Sequence, residues 1–224
     1  MTRATLNGDA LATTALEEFC RRYRQPIVQF VRYRGVAESD VEDVTHDFLL
    51  HLLEKSALRR ANAARGRFRS FLLGALVRYL GDVYDRHRAL KRGGGQAPLS
   101  LDLMAEGAAP VTSQAEEATF DRAWATELLA SGMRRLEEEY TKNQRVKEYA
   151  VLRAYVPGRV QPPSYEESAV ALGLSLGAFK SEVHRMRKRL RVLVREEVAT
   201  TVAAPQEIDE EIAYLSRVLA GSIQ

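Results

Sequence analysis

The apolar residues of this chain recur along most of its length at the three- and four-residue spacings of amphipathic helices. They predict helices over residues 14–35 (kinked or divided at Pro26), 39–53, 68–92, 120–140 and 146–155. Ser39 with Glu42 has the spacing of a capping box, a typical helix start. Trp124 falls on the apolar stripe of its helix and is expected in the core. The pattern predicts an all-α fold.

The segment from Ser164 to Arg195 predicts two helices joined by a tight turn. Ser164 and Glu167 can form a capping box, Gly173 can adopt the left-handed conformation that ends the first helix, and Ser175 can cap the second. The second helix carries bases on one face and an apolar stripe on the other: Phe179, Val183, Met186, Leu190 and Leu193. This pattern favours a helix-turn-helix that reads the major groove. The alternative is a helical hairpin with a solvated basic face.

Composition changes along the chain and suggests how it is divided. Residues 96–118 are rich in Ala, Gly, Pro and Ser and predict a flexible linker. We therefore expect two small helical domains, the second containing the helix-turn-helix, followed by an acidic amphipathic helix. The predicted segments are a flexible N-terminus at 1–13, a first domain at 14–95, the linker, a second domain at 119–200 and the acidic extension at 201–224.

The net charge of +3 conceals an uneven distribution of charged residues. Five acids and no Lys or Arg lie between Gln96 and Asp121, whereas bases crowd both flanking blocks. Such asymmetry suggests a polyanionic partner that meets particular faces. A single cysteine, Cys20, excludes an internal disulfide and favours a reducing compartment. The sequence predicts a cytoplasmic protein, with no signal peptide and no membrane insertion.

Two faces of the first block stand out. The helix over 68–92 interleaves bases with Phe68, Phe71, Tyr79 and Tyr84, and cations with rings can hold single-stranded nucleic acid. The alternative is that these rings belong to the core, since three of them fall on the apolar stripe. The preceding helix instead presents an acidic outer face: Glu42, Asp43, His46 and Asp47.

Three segments in this order resemble the extracytoplasmic-function group of bacterial RNA polymerase sigma factors. DVEDVTHDFLLHLLEK resembles the polymerase-binding helix of that family, and RGRFRSFLLGALVRYLGDVYDRHR resembles its promoter-melting helix. PPSYEESAVALGLSLGAFKSEVHRMRKRL resembles its second DNA-binding domain. The chain departs from the family pattern at His46, Leu49 and Glu182, where Gln, Phe and often a basic residue are usual.

The resemblance implies a sigma factor, a subunit without catalytic residues or cofactors that directs core RNA polymerase to promoter DNA. An anti-sigma factor would be a further partner. In the family, the acidic helix binds polymerase, which here implies Glu42, Asp43, His46 and Asp47. The loop 56–66 and the following helix would contact the −10 element through Arg59, Arg60, Asn62, Arg65, Arg67 and Arg78. The recognition helix would contact the −35 element through Lys180, Ser181, His184, Arg185, Arg187 and Lys188.

Two alternative functions and one question about the extension remain open. A free-standing helix-turn-helix regulator would need only the C-terminal domain, and the acidic Glu42–Asp47 face would then be without a role. Asp43, His46, Asp47 and His51 have helical spacings that could group metal ligands in an enzyme, although no other cluster supports such a site. The extension predicts a helix with Ile208, Ile212, Leu215 and Leu219 in one stripe. That helix either completes the C-terminal core or docks on the bases and competes with DNA.

Overall fold

The computed structural model describes residues 19–54, 67–92, 113–156 and 162–221. These residues form helices and turns and include no strand, which confirms the all-α prediction for the described part of the chain. The helices are α1 at 19–33, α2 at Val41–Glu54, α3 at Phe68–Arg92, α4 at Gln114–Lys142, α5 at Val146–Leu152, a 3-10 turn at Arg153–Tyr155, α6 at Tyr165–Ala171, α7 at Leu176–Ala199 and α8 at Glu207–Leu219.

Local capping chemistry explains where the helices of the second block begin. The Ser164 side chain accepts a hydrogen bond from the Glu167 amide, and the Glu167 carboxylate accepts one from the Ser164 amide, so the predicted capping box is confirmed. Ser175 caps α7 by accepting from the Ala178 amide. Between them Gly173 has φ +64°, the left-handed conformation that favours glycine.

Two sequence predictions about helix starts were wrong. Ser39 does not cap α2: its hydroxyl donates to Asp40, and the Asp40 carbonyl accepts the first helical bond from Val44, so the helix starts one residue later. Helix α4 begins at Gln114, because Ser113 and Glu116 form a capping box inside the predicted linker. Of the two outcomes predicted at Pro26, division does not occur, because α1 runs through this residue.

The described residues form two hydrophobic core clusters, and α4 contributes to both. Its first half places Phe120, Trp124 and Leu128 in a cluster with α1, α2 and α3. Its second half places Leu136 in a cluster with α5, α6 and α7. A helix of 29 residues is about 43 Å long, enough to reach both. The predicted support for α7 is therefore provided by α5 and the second half of α4, whereas Phe120, Trp124 and Leu128 of α4 lie in the other cluster.

Helices α4 and α7 approach closely at Gly132. A Cβ atom at this position would lie 2.8 Å from Val194 Cγ2 and 3.4 Å from Leu190 Cδ1. Glycine is therefore required by packing, since real Cβ atoms do not approach so closely. The contact fixes the apolar side of α7 and leaves its opposite side exposed.

Helix α8 packs against α4, α7 and the start of α3. Its buried face is Ile208, Glu211, Leu215 and Val218, whereas Ile212 is half-buried and Leu219 is exposed. The predicted stripe was therefore correct at Ile208 and Leu215 but wrong at Leu219. The helix is rotated so that an acid, Glu211, faces the interior.

Candidate nucleic-acid interface

One side of α7 presents a contiguous exposed surface, which we call the α7 basic face: Lys180, Ser181, His184, Arg185 and Lys188. These positions follow each other at the spacings of one helical face. The opposite side buries the predicted apolar stripe from Phe179 to Leu193. Within the described residues, no hydrogen bond or ion pair engages Lys180 or Lys188. Such a surface has charge and donors available for phosphates and base edges.

Tyr155 holds the supporting side of this surface together. Its hydroxyl lies 2.7 Å from Ser168 Oγ on α6, and its ring packs edge-on against Phe179 on α7 with centroids 5.3 Å apart. Its carbonyl accepts a hydrogen bond of 2.8 Å from the Nε of Arg187. Tyr155, a buried aromatic residue, therefore contacts both helices that flank the turn between α6 and α7 and stabilises their arrangement.

Glu182, the acid that departs from the family pattern, is directed toward the protein. Its carboxylate accepts from Arg145 at 3.1 Å and from Arg185 at 2.6 Å. Burial raises the pKa of Glu182, but the hydrogen bonds from Arg185 and Arg145 outweigh it, so the pKa lies below its usual range. Arg185 remains 64% exposed while held at one end. Glu182 thus orients an arginine on the α7 basic face.

Other bases of α7 have partners within the fold. Arg187 is half-buried and bonded to Tyr155, so this predicted DNA contact lies beside the exposed face rather than on it. Arg189 forms two hydrogen bonds of 2.6 and 2.9 Å with Glu139 of α4. Arg195 pairs with Asp209 of α8. The positive charge of α7 is therefore open mainly between Lys180 and Lys188 and at Arg191.

The predicted −10 surface is only partly described. Arg59, Arg60, Asn62 and Arg65 lie outside the described residues. Arg78 is exposed on α3. Arg67, at the start of α3, lies instead against the acids of α8: its Nε is 2.9 Å from Glu211 Oε2 and its Nη2 is 3.7 Å from Glu210 Oε2. Arg67, just before α3, and Arg78, on α3, thus have different surroundings.

Of the aromatic residues of α3, Tyr79 is buried, and Phe68, Phe71 and Tyr84 are half-buried. Phe68 lies among other rings, with its centroid 5.1 Å from Tyr23 and 6.2 Å from Trp124. Tyr79 is buried between Phe48 and His51, and Trp124 is buried as predicted. Phe68 and Tyr84 also pack against the first cluster, so these positions support the core interpretation for Phe68, Tyr79 and Tyr84.

The acidic face of α2 is exposed as expected from its pattern. Glu42, Asp43, His46 and Asp47 all lie at the surface, while Val44 and Phe48 on the opposite side are buried. Glu42 forms an ion pair with Arg24 of α1. Leu50, 43% exposed, continues this face by one helical turn. The surface offers carboxylates and an apolar side chain, which suits a protein partner better than DNA.

The described residues contain no group of three or more His, Cys, Asp or Glu side chains arranged to hold a metal ion. In the described part of the chain, no helix has both the length and the apolar character needed to cross a membrane.

Sequence reasoning missed the residues that join the two blocks. Asp121 and Glu211 are each 1% exposed and both contact Arg69, which is itself buried. Arg145 was missed as the partner of Glu182. A usable signal was present for both acids: Asp121 lies three residues before Trp124, and Glu211 lies three residues after Ile208, so each falls on an apolar stripe.

Compared with known proteins, the chain matches no family model, no curated protein and no solved structure.

Proposed function

We propose that this protein is a sigma factor that binds core RNA polymerase and directs it to promoters. The observation that carries the proposal is the α7 basic face, exposed beside a capped turn and braced from beneath. In this proposal the face reads the −35 element in the major groove, with Arg185 as a bidentate guanine contact. The segments around α2 and α3 then serve polymerase binding and −10 recognition, and the two halves act as domains joined by the segment over 93–112.

The acidic face of α2 supports a polymerase partner. Carboxylates close to DNA phosphates would be repelled, whereas a basic protein surface would attract them. The proposed partner surface is a basic groove on core polymerase. Asp43 and Asp47 are suited to this contact because both are exposed and no other described side chain forms an ion pair with them.

The direct test is transcription in a purified system. Run-off transcription with core polymerase, on promoters enriched by sequencing the DNA bound by the protein, should yield defined transcripts only when the protein is added. Absence of any dependence on the protein would contradict the proposal.

A second experiment tests the polymerase contact. Asp43→Arg with Asp47→Arg should weaken binding to core polymerase in a fluorescence titration, while its DNA affinity should match that of a control with the same charge change. The matched control is Glu137→Arg with Glu138→Arg, the same charge change on exposed acids of α4. Equal affinities of both double variants for core would place the contact elsewhere.

A free-standing DNA-binding regulator is the second candidate, favoured by the α7 basic face taken alone. Such a protein would bind its sites and alter transcription by a polymerase that already carries another sigma factor. Promoter-specific initiation with core polymerase alone distinguishes the two, since only a sigma factor supplies it.

A further inference from the structure

Helix α8 covers the start of α3 through a charged contact that is largely buried. Glu211 lies between two arginines: its Oε1 accepts from Arg69 Nε at 3.1 Å, and its Oε2 is 2.9 Å from Arg67 Nε. Arg69 also pairs with Asp121, whose other oxygen accepts from the Tyr214 hydroxyl. The guanidinium of Arg69 lies 4.8 Å from the centre of the Tyr214 ring. We call this set the Arg69 network.

The turn before α8 also forms a hydrogen bond with the backbone of α3. The amide of Phe68, the first residue of α3, donates a hydrogen bond of 3.0 Å to the carbonyl of Thr201, in the turn that leads to α8. Amides at a helix start otherwise attract anions. Both the side chain of Arg67 and the first amide of α3 are therefore engaged by the C-terminal segment.

The contact of α8 with Arg67 is more exposed to solvent than its contact with Arg69. Arg69 is enclosed by Asp121, Glu211 and Tyr214, whereas Arg67 remains 32% exposed. Glu211 Oε2 is buried near Arg67 without the geometry of a hydrogen bond. Glu210, the second acid facing Arg67, is 75% exposed. Arg67 can thus exchange its carboxylates for another anion without being left unpaired.

Stability alone does not explain an acid at this position. Buried ion pairs contribute little compared with apolar residues of the same size, because desolvation offsets most of the attraction. An apolar residue at 211 would continue the buried face of α8 between Ile208 and Leu215. A carboxylate is the better choice if the surface beneath must also bind phosphates.

We propose that α8 is an internal competitor for nucleic acid at the start of α3. When α8 is packed at the start of α3, Glu210 and Glu211 bind Arg67. When α8 dissociates from this position, Arg67 becomes available to bind DNA. The inference rests on the proposed function, because it takes Arg67 as a contact for promoter DNA. It names a regulatory step of that same surface: displacement of α8 by polymerase or by DNA.

The central experiment compares charge-neutral variants of the full chain. Glu210→Gln with Glu211→Gln removes the competing charge and preserves side-chain size. The matched control is Glu137→Gln with Glu138→Gln on the exposed side of α4. The probe is a short fluorescein-labelled single-stranded DNA of mixed sequence, with binding followed by fluorescence anisotropy at low and high salt.

Competition predicts that the α8 variant binds at least about fivefold more tightly than wild type at low salt, the lower end of typical coupling between sites. The α4 control should differ less from wild type, because it removes the same charge at a distance. The gain should shrink at high salt, where charge competition is screened. Adding Arg67→Ala to the α8 variant should abolish the gain.

A second variant and a second readout separate competition from a structural role. Truncation after Ala204 removes α8 and should raise the DNA affinity of the folded protein. In wild type, excess DNA should speed hydrogen exchange at the amides of α8. If truncation lowers the melting temperature while the folded fraction binds DNA as wild type does, α8 is structural and the inference is overturned.

The outcomes also distinguish this inference from the sigma-factor proposal. A gain in affinity without promoter-specific transcription would remove the sigma assignment and leave the competition intact. Transcription that depends on the protein, with unchanged affinities in both α8 variants, would overturn the competition alone.

Discussion

The start of α3 and the α7 basic face are both basic in sequence, yet they differ in the acids that surround them. On α3, Arg69 is buried against Asp121 and Glu211, and Arg67 lies beside two acids of α8. On α7, Lys180 and Lys188 are exposed, and Arg185 has one acid that holds it without covering it. The difference teaches that charge in the sequence marks a candidate surface, whereas neighbouring acids decide whether that surface is open.

The two acids responsible also differ in how they are placed. Glu182 lies at the edge of α7 and bridges to Arg145, so it supports Arg185 from the side. Glu211 lies in the middle of the buried face of α8 and contacts both Arg67 and Arg69. Glu182 therefore orients an arginine toward solvent, whereas Glu211 engages two arginines with its own carboxylate.

The largest effect on stability should come from removing one carboxylate of the Arg69 network. Asp121→Ala leaves Arg69 with one carboxylate in a buried site, and removing a partner of a buried pair costs about 3–5 kcal/mol. We expect a loss of unfolding free energy at the lower end of that range, because Glu211 remains. Chemical denaturation followed by circular dichroism measures it.

The matched control for Asp121 is Glu139→Ala, which breaks the more exposed pair between α4 and α7. Exposed pairs contribute under about 1 kcal/mol. Similar losses in the two variants would show that Arg69 is not buried as described.

The next largest effect on stability should come from the packing of α4 against α7, which supports the α7 basic face. Gly132→Ala should lower the unfolding free energy by about 1–3 kcal/mol, the usual cost of overpacking, because the new Cβ would clash with Val194. Gly81→Ala on α3 is the control: its Cβ would meet nothing within 4 Å. That change should stabilise the protein by about 0.5–1 kcal/mol, as alanine does in a helix interior. A stabilised Gly132→Ala variant would contradict the close approach of α4 and α7.

DNA binding should separate the two regions directly. Arg185→Ala should relax preference at one base pair, worth about 1–3 kcal/mol of discrimination, because a bidentate contact is lost. Lys188→Ala should weaken binding to all sequences and reduce the salt slope by about 1. Arg67→Ala in the full chain should change affinity less than about twofold, since α8 already holds this arginine. Binding profiles over a promoter library, measured for the three variants, would reveal any reversal of this order.

The smallest effect is the pH dependence of the stability that Glu182 contributes beside the α7 basic face. The pKa of Glu182 is lowered in the folded protein, so its contribution to stability is present above the ordinary glutamate pKa of 4.5 and is lost as the pH falls through the folded value. The difference in melting temperature between wild type and Glu182→Gln should therefore be largest near neutral pH and vanish in acid. For a partly exposed pair we expect under about 1 kcal/mol. A difference that persists at pH 3 would mean that the effect is not electrostatic.

Periodicity and capping chemistry predicted much of the fold because both are local. The stripe from Phe179 to Leu193, the capping box at Ser164 and the turn at Gly173 depend only on residues within a few positions of each other. The exposed residues of the α7 basic face followed from the same stripe, since the opposite side of a buried stripe faces solvent. Ser39 was misjudged because Asp40, an equally good cap, comes next in the sequence.

The sequence by itself determined that the chain is helical, where most helices lie, and that one long helix has an apolar side and a basic side. Only the tertiary structure decided which bases are open. Asp121 and Glu211 are 52 and 142 residues from Arg69 in the sequence, and no local pattern joins them. Long-range packing brings these charges together, because Ile208 and Leu215 bury α8 in the same cluster as Phe120 and Trp124.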